Sequence, residues 1–441
     1  MKKYWLKMSL IASVALPAQM STATNAPLVL VPKPIKIPTA ELKTPFTRYM
    51  ALEDPDHRIS KLFRVPWSLH LRTRFWFDIY TRYGSHDFVI HDALYPWIIF
   101  RVVHTSYIFK DHINKWAKYA KQKQVVWANF YKIRHALFRM ARMKNYWRLT
   151  PLERSLAYDL SRLRGPRDFI YRQAAENMRI QLGQRDFFIS GLKVSGRYLP
   201  FMEKEFAANG LPVELTRLPF VESSFNIHAE SKDLASGIWQ IMPGMGREFL
   251  IVNNRIDERN SPFKSSLVAI KLLKQNYRKF RSWPLAITAY NFGWHGLIKA
   301  IKKCHSRNLA VLIDRYHQGA FKFASANFYA SFLAALHAEE YHKEIFQNVT
   351  TAAAPESFKV VALQYLSRPK TLMKRLGISK KVLLTYNYDL KWALRYNSLI
   401  PKGYFLILPS KNADSSGQKL LNHGYVFREA RLRVTRRRSR G

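Results

Sequence analysis

The chain has 441 residues, with apolar types at 48% and aromatic types at 14%. At about 150 residues per domain this length holds roughly two to four modules, and so much apolar surface excludes a mainly disordered chain. No uninterrupted apolar run reaches the roughly eighteen residues needed to span a bilayer. The 72 Lys and Arg against 30 Asp and Glu, a formal charge of +42, imply attraction to a polyanion without saying which.

In chain order, Lys2, Lys3 and Lys7 precede the apolar stretch Met8 to Leu16, and small residues follow to Ala26. That layout predicts a signal peptide over residues 1–26, and so export to the periplasm or cell envelope of a bacterium. Pro32, Pro34, Pro38 and Pro45 make residues 27–59 a proline-rich linker. Cys304 is the one cysteine, which rules out an intramolecular disulfide and a Cys-rich zinc site. Residues 60–185 read as a helical N-terminal region, because Trp116, Trp127, Phe130, Ile133, Leu137 and Met140 recur at three-to-four spacing among Lys and Arg. Phe88 to His104, with Trp97, Ile98, Ile99 and Phe100, is expected to be a buried helix. Residues 186–350 read as several helices separated by Gly and Pro. After Pro355, Phe358 to Leu363 and Tyr404 to Leu408 read as strands flanking helices over 369–376 and 379–386, a strand, helix, helix, strand module within 355–415. Residues 416–441 form a basic, solvated tail.

Chemistry concentrates in the third region. In Leu211-Pro212-Val213-Glu214-Leu215 and Leu218-Pro219-Phe220-Val221-Glu222, an apolar stripe carries Glu222 to the far end of a short helix. A carboxyl among apolar neighbours holds its proton to higher pH, as a general acid near neutrality must. The loop Gly237-Ile238-Trp239-Gln240-Ile241-Met242-Pro243 combines a permissive glycine, an amide and apolar faces, a mixture suited to an acetamido sugar; a loop packed on the core by Trp239 is the plainer reading. Ala289-Tyr290-Asn291-Phe292-Gly293 follows an apolar run as at a helix end, where it serves equally as a C-cap. Glu230, Asp233, Asp257 and Glu258 are the candidates for a second carboxylate, with Asp257-Glu258-Arg259 expected to form local ion pairs or a cap. His86, Asp87, His91 and Asp92 lack a defined ligand spacing, so no metal and no cofactor are expected.

Together, in order and spacing, these three clusters resemble the catalytic motifs of the family 1 lytic murein transglycosylases, and look most like the membrane-bound lytic transglycosylase D branch. The resemblance runs over roughly 186–345 and takes in Gly191-Leu192, Tyr198 and a late helical tyrosine, best matched by Tyr329. It implies a mainly α chain with a goose-lysozyme-like catalytic domain. The implied reaction is cleavage of the bond from N-acetylmuramic acid to N-acetylglucosamine in peptidoglycan glycan strands. Glu222 would be the single acid and base, and the muramoyl O6 hydroxyl would attack to leave 1,6-anhydro ends; no activated water is then needed. The matching substrate-contacting positions are Ser223, Gln240, Met242, Tyr290, Asn291 and Tyr329. The C-terminal βααβ module resembles a degenerate LysM domain through Asn387 and Ile400-Pro401-Lys402-Gly403-Tyr404, although Tyr365 to Pro369 replace its usual first turn. A hydrolytic muramidase, a catalytically weak wall-binding scaffold, and an exported polyanion or nucleic-acid binder are the alternatives. Export disfavours nucleic acid as partner and leaves an anionic envelope surface as the target of the positive charge.

Overall fold

The computed structural model describes residues 46–110, 114–319, 321–347, 349–351 and 357–410, and the backbone of 427–429. The expected signal peptide, most of the linker and most of the basic tail lie outside the described residues. Helix dominates, as the sequence predicts, and no helix among the described residues is long and apolar enough to cross a membrane. Residue contacts divide the chain into two compact units. One combines Ser190–Gln275 with the stretch from Val349 onward; the other combines the segments up to Ile189 with Asn276–Asn348.

In the second of these, the expected buried helix over 88–104 is replaced by strands. β1 (Asp87–Asp92) pairs antiparallel with β2 (Ile99–His104) and with β3 (Met178–Leu182), in the order β2-β1-β3. Local chemistry explains the correction. Phe88-Val89-Ile90 and Ile99-Phe100 with Val102-Val103 are β-branched and aromatic, and Pro96 would remove a helical hydrogen bond midway. Asp92 then makes the turn, its Oδ1 accepting from the N–H groups of Leu94 and Tyr95 at 2.8 and 2.9 Å. Helices Lys115–Met140, Pro151–Leu160 and Arg167–Glu176 share a core with this sheet through Phe130, Ile133, Leu137, Leu156 and Tyr171. The helical period of 115–140 is as expected, but Trp116 is 69% exposed and lies off the buried stripe.

In the same unit, helix His70–Thr81 packs on Phe323–Glu340. Arg72 Nη1 and Trp76 Nε1 both donate to Asn327 Oδ1, at 3.0 and 3.1 Å, and Tyr80 Oη lies 2.9 Å from Ser331 Oγ. Residues 46–59 differ from the expected linker. They include the helical turn Met50–Glu53, His337 Nδ1 lies 2.7 Å from Ala51 O, and Tyr341 Oη donates to Asp54 Oδ1 at 2.7 Å.

In the other unit, β4 (Phe358–Leu363) and β5 (Phe405–Pro409) pair antiparallel and flank helices Pro369–Leu376 and Lys380–Tyr386, the order read from the sequence. The backbone of β6 (Phe427–Glu429), inside the expected tail, adds a third strand in the order β5-β4-β6. Gly377, at φ 59°, ends the first helix in the left-handed region, and Ser379 Oγ caps the second by accepting from Val382 N. Buried Asn387 clamps the outer edge of β5. Its Nδ2 donates to Ile407 O at 2.7 Å and its Oδ1 accepts from Ile407 N at 2.8 Å. Asn387→Ala would orphan both backbone groups, so urea denaturation is expected to show a loss of about 2–3 kcal/mol.

Candidate active site

Glu222 ends a five-residue helix, Leu218–Glu222, which carries Pro219 in its first turn and buries Leu218, Phe220 and Val221 completely or nearly so. Ser224 and Phe225 follow at φ 49° and 54°. Two consecutive non-glycine residues in the left-handed region carry strain, a feature that clusters where the backbone is shaped for function. Gly191 permits the turn: a Cβ there would lie 2.7 Å from Ser224 O. Glu222 as a residue is half-buried, and desolvation of its carboxyl pushes it from an ordinary 4.5 up to about 8. No hydrogen bond or ion pair to this carboxyl is found among the described residues.

The loop after Leu234 is fastened to that helix end. Ser223 is buried, and its hydroxyl donates to Ile238 O at 2.9 Å. Trp239 has no exposed surface. It stacks on Phe206 with centroids 5.8 Å apart and donates from Nε1 to Ser266 Oγ at 2.8 Å, so the plainer reading of this residue holds and its ring is a core anchor. Gln240, at φ 46°, donates from Nε2 to Gly237 O at 2.8 Å, and the Met242 side chain stands exposed beside it in sequence.

In the other unit, helix Trp283–Phe292 ends at Gly293, with Tyr290 half-buried and Asn291 exposed. Asn291 Oδ1 accepts from Ser325 Oγ at 2.7 Å, which ties this helix end to the helix carrying Tyr329. Tyr329 is almost wholly buried, and burial raises its phenol pKa.

Residues 200–312 match the sequence profile of the transglycosylase SLT domain. This segment is a transglycosylase SLT domain. Over 85 residues the chain is 35% identical to membrane-bound lytic murein transglycosylase D of Escherichia coli K12, and to the same protein of Escherichia coli O6:H1; each alignment covers 19% of this chain and 19% of the relative. The chain thus matches about a fifth of the length of these curated relatives.

Within the SLT domain, Arg259 is the residue whose importance the sequence understated. Its buried guanidinium forms a two-pronged pair with Asp257, Nε to Oδ1 at 2.9 Å and Nη2 to Oδ2 at 2.7 Å. Nη1 donates to Leu234 O and Ile241 O at 2.7 and 3.0 Å, bracketing the Gln240 loop. The expected local ion pair is therefore also the frame of the loop. Gly237 lies against the same residue: at φ 77°, a Cβ would meet Arg259 O at 2.0 Å. Gly237→Ala is expected to lower stability by about 2–4 kcal/mol and to dislodge Gln240, read as a drop in the urea midpoint.

Two of the remaining candidate carboxylates have partners. Asp257 is held by Arg259, while Glu258 Oε1 pairs with Lys264 at 3.0 Å and its Oε2 accepts from Ile251 N at 2.6 Å. Glu230 and Asp233 are exposed. Outside the SLT domain, Asp87 accepts from Gly84 N and lies 2.7 Å from His104 Nδ1, and His91 Nδ1 lies 2.8 Å from Asp92 O. Turn and strand structure accounts for these contacts.

Proposed function

We propose that this protein cleaves the glycosidic bond from N-acetylmuramic acid to N-acetylglucosamine in peptidoglycan without consuming water. The observation that carries this reading is the Glu222 carboxyl, held protonated by desolvation at the strained end of the SLT-domain helix. Protonated, it donates to the departing glycosidic oxygen. The resulting carboxylate accepts the proton of the muramoyl O6 hydroxyl as that oxygen bonds to the anomeric carbon, so one group serves as acid and then base and the proton count closes. An internal hydroxyl replaces a positioned water, which removes the need for a second carboxylate.

Gln240, Met242, Tyr290, Asn291 and Tyr329 are the proposed glycan contacts, and Ser223 acts by holding the loop through Ile238. The curated relatives are named as membrane-bound murein transglycosylases, which supports an envelope location here. The βααβ module is proposed to add affinity for the glycan, as its LysM resemblance implies.

Mass spectrometry of products released from purified sacculi tests the reaction. Anhydro-muropeptides support it, new reducing ends replace it with a hydrolase, and wall binding without product leaves a scaffold.

A further inference from the structure

One end of the helical layer in the second unit is strongly cationic and studded with aromatic rings. Residues 141–170 hold seven Lys and Arg, all exposed, against three acids. Of these acids, Glu153 is buried and takes a hydrogen bond from Arg139 at 2.6 Å, and Asp159 is half-buried, so Asp168 alone of the three stands fully exposed. Trp147 is 91% exposed, Tyr158 76% and Phe169 50%.

These side chains stand on a fixed base. The Tyr146 ring lies 5.7 Å from that of Tyr171 and 5.2 Å from the Arg167 guanidinium, while Met143, Leu149, Leu163 and Ile170 pack into the core beneath. Rings left in water beside exposed cations match the two components of an anionic bilayer surface. Lysine and arginine are drawn to charged headgroups, and Trp and Tyr settle at headgroup depth. Phe169 has no polar atom and gains most from entering the acyl boundary. Nucleic acid would use the cations equally, but a half-exposed Phe and a nearly bare Trp on separate segments favour insertion over stacking in a row.

We infer that residues 141–170 dock on an anionic phospholipid bilayer, with Arg142, Lys144, Arg148, Arg162, Arg164 and Arg167 on the headgroups and Trp147 and Phe169 in the interface. This binding is independent of the catalytic reading.

Flotation of the full chain with vesicles tests it, using equal parts phosphatidylglycerol and phosphatidylethanolamine against phosphatidylcholine alone. Anionic vesicles are expected to bind about tenfold or more tightly, less so as salt rises. The triple change Arg162→Gln, Arg164→Gln, Arg167→Gln should weaken that binding about tenfold, and the corresponding Lys triple should retain it, separating lost charge from lost fold. Trp147→Ala with Phe169→Ala should remove the salt-resistant part, leaving cleavage of sacculi in solution unchanged. Equal binding to phosphatidylcholine, native-like binding by the Gln triple, or displacement from vesicles by single-stranded DNA would each overturn the proposal.

Discussion

Glu222→Gln is expected to abolish release of anhydro-muropeptides, a fall of about 10²–10⁴-fold, while the protein folds and melts at a higher temperature than the parent. Both halves of this outcome have one cause. The amide keeps the shape of the carboxyl but has no proton to give. It also has no charge to bury. With a folded pKa near 8 against an ordinary 4.5, the parent holds a proton that the unfolded chain releases. The raised value fixes the sign. Below about pH 4.5 the carboxyl is neutral in both states and costs nothing; stability falls as pH rises from there, and the loss levels off above pH 8. The glutamine variant escapes that loss. After discounting for the residue's partial exposure, its advantage should be about 1–3 kcal/mol at pH 8 and vanish near pH 4, as calorimetry at both pH values would show. Activity should lose its acid on the same basic limb, with kcat/KM declining as pH passes about 8. A Gln variant that still forms anhydro ends, or that is less stable at pH 8, would remove Glu222 from the mechanism.

Lys264→Met should be the most destabilising single change in the unit that holds Glu222, by about 3–5 kcal/mol. Lys264 is buried, and its Nζ lies 2.9 Å from Asp389 Oδ2, 3.0 Å from Glu258 Oε1 and 3.6 Å from the centroid of the Tyr404 ring. Tyr404 Oη completes the cluster by donating to Asp389 Oδ2 at 2.7 Å. Burial raises the Asp389 carboxyl despite Lys264 beside it, and its Oδ1 has no partner. Methionine fills the volume of the lysine stem but leaves two carboxylates in the core with one counter-charge gone. Adding Asp389→Asn to Lys264→Met should recover part of the loss, whereas Asp389→Asn alone should cost less because Glu258 still pairs with the lysine. A double-mutant cycle in urea reads this coupling directly, and additive losses would show that the cluster is not a unit. Ile256 of the SLT domain also sits in the core of the βααβ module, so the same variant is expected to loosen both together.

Much of the fold follows from local chemistry that the sequence displays. The helix Pro369–Leu376, its Gly377 stop, the Ser379 cap and the two flanking strands sit where periodicity and turn residues place them. Elements whose fate depends on distant partners were less legible. Phe88 to His104 is apolar enough for either a buried helix or a hairpin, and β3, about eighty residues later, completes the sheet in which β1 is the central strand. Residues 46–59 follow a proline-rich stretch, yet Asp54 and Ala51 meet Tyr341 and His337 far along the chain. Trp116 keeps helical spacing but lies beyond the packed stretch of its helix.

The candidate site divides along the same line. Sequence alone offered Glu222, the Gln240 loop and the Tyr290-Asn291 pair, because the three motifs together, in order and spacing, resemble those of a known family. Tertiary structure decided the surroundings of these groups. Desolvation of a carboxyl is set by what surrounds it, so the apolar stripe of Leu218-Pro219-Phe220-Val221-Glu222 predicted the direction of the shift, while only the packed surroundings push the carboxyl up to about 8. Trp239 became an anchor through Phe206 and Ser266, and Arg259 became the frame of the loop through Asp257 and two carbonyls. Residue order specifies the chemical groups, but the dielectric around them and the hydrogen bonds that remain to be filled arise only once distant segments have packed.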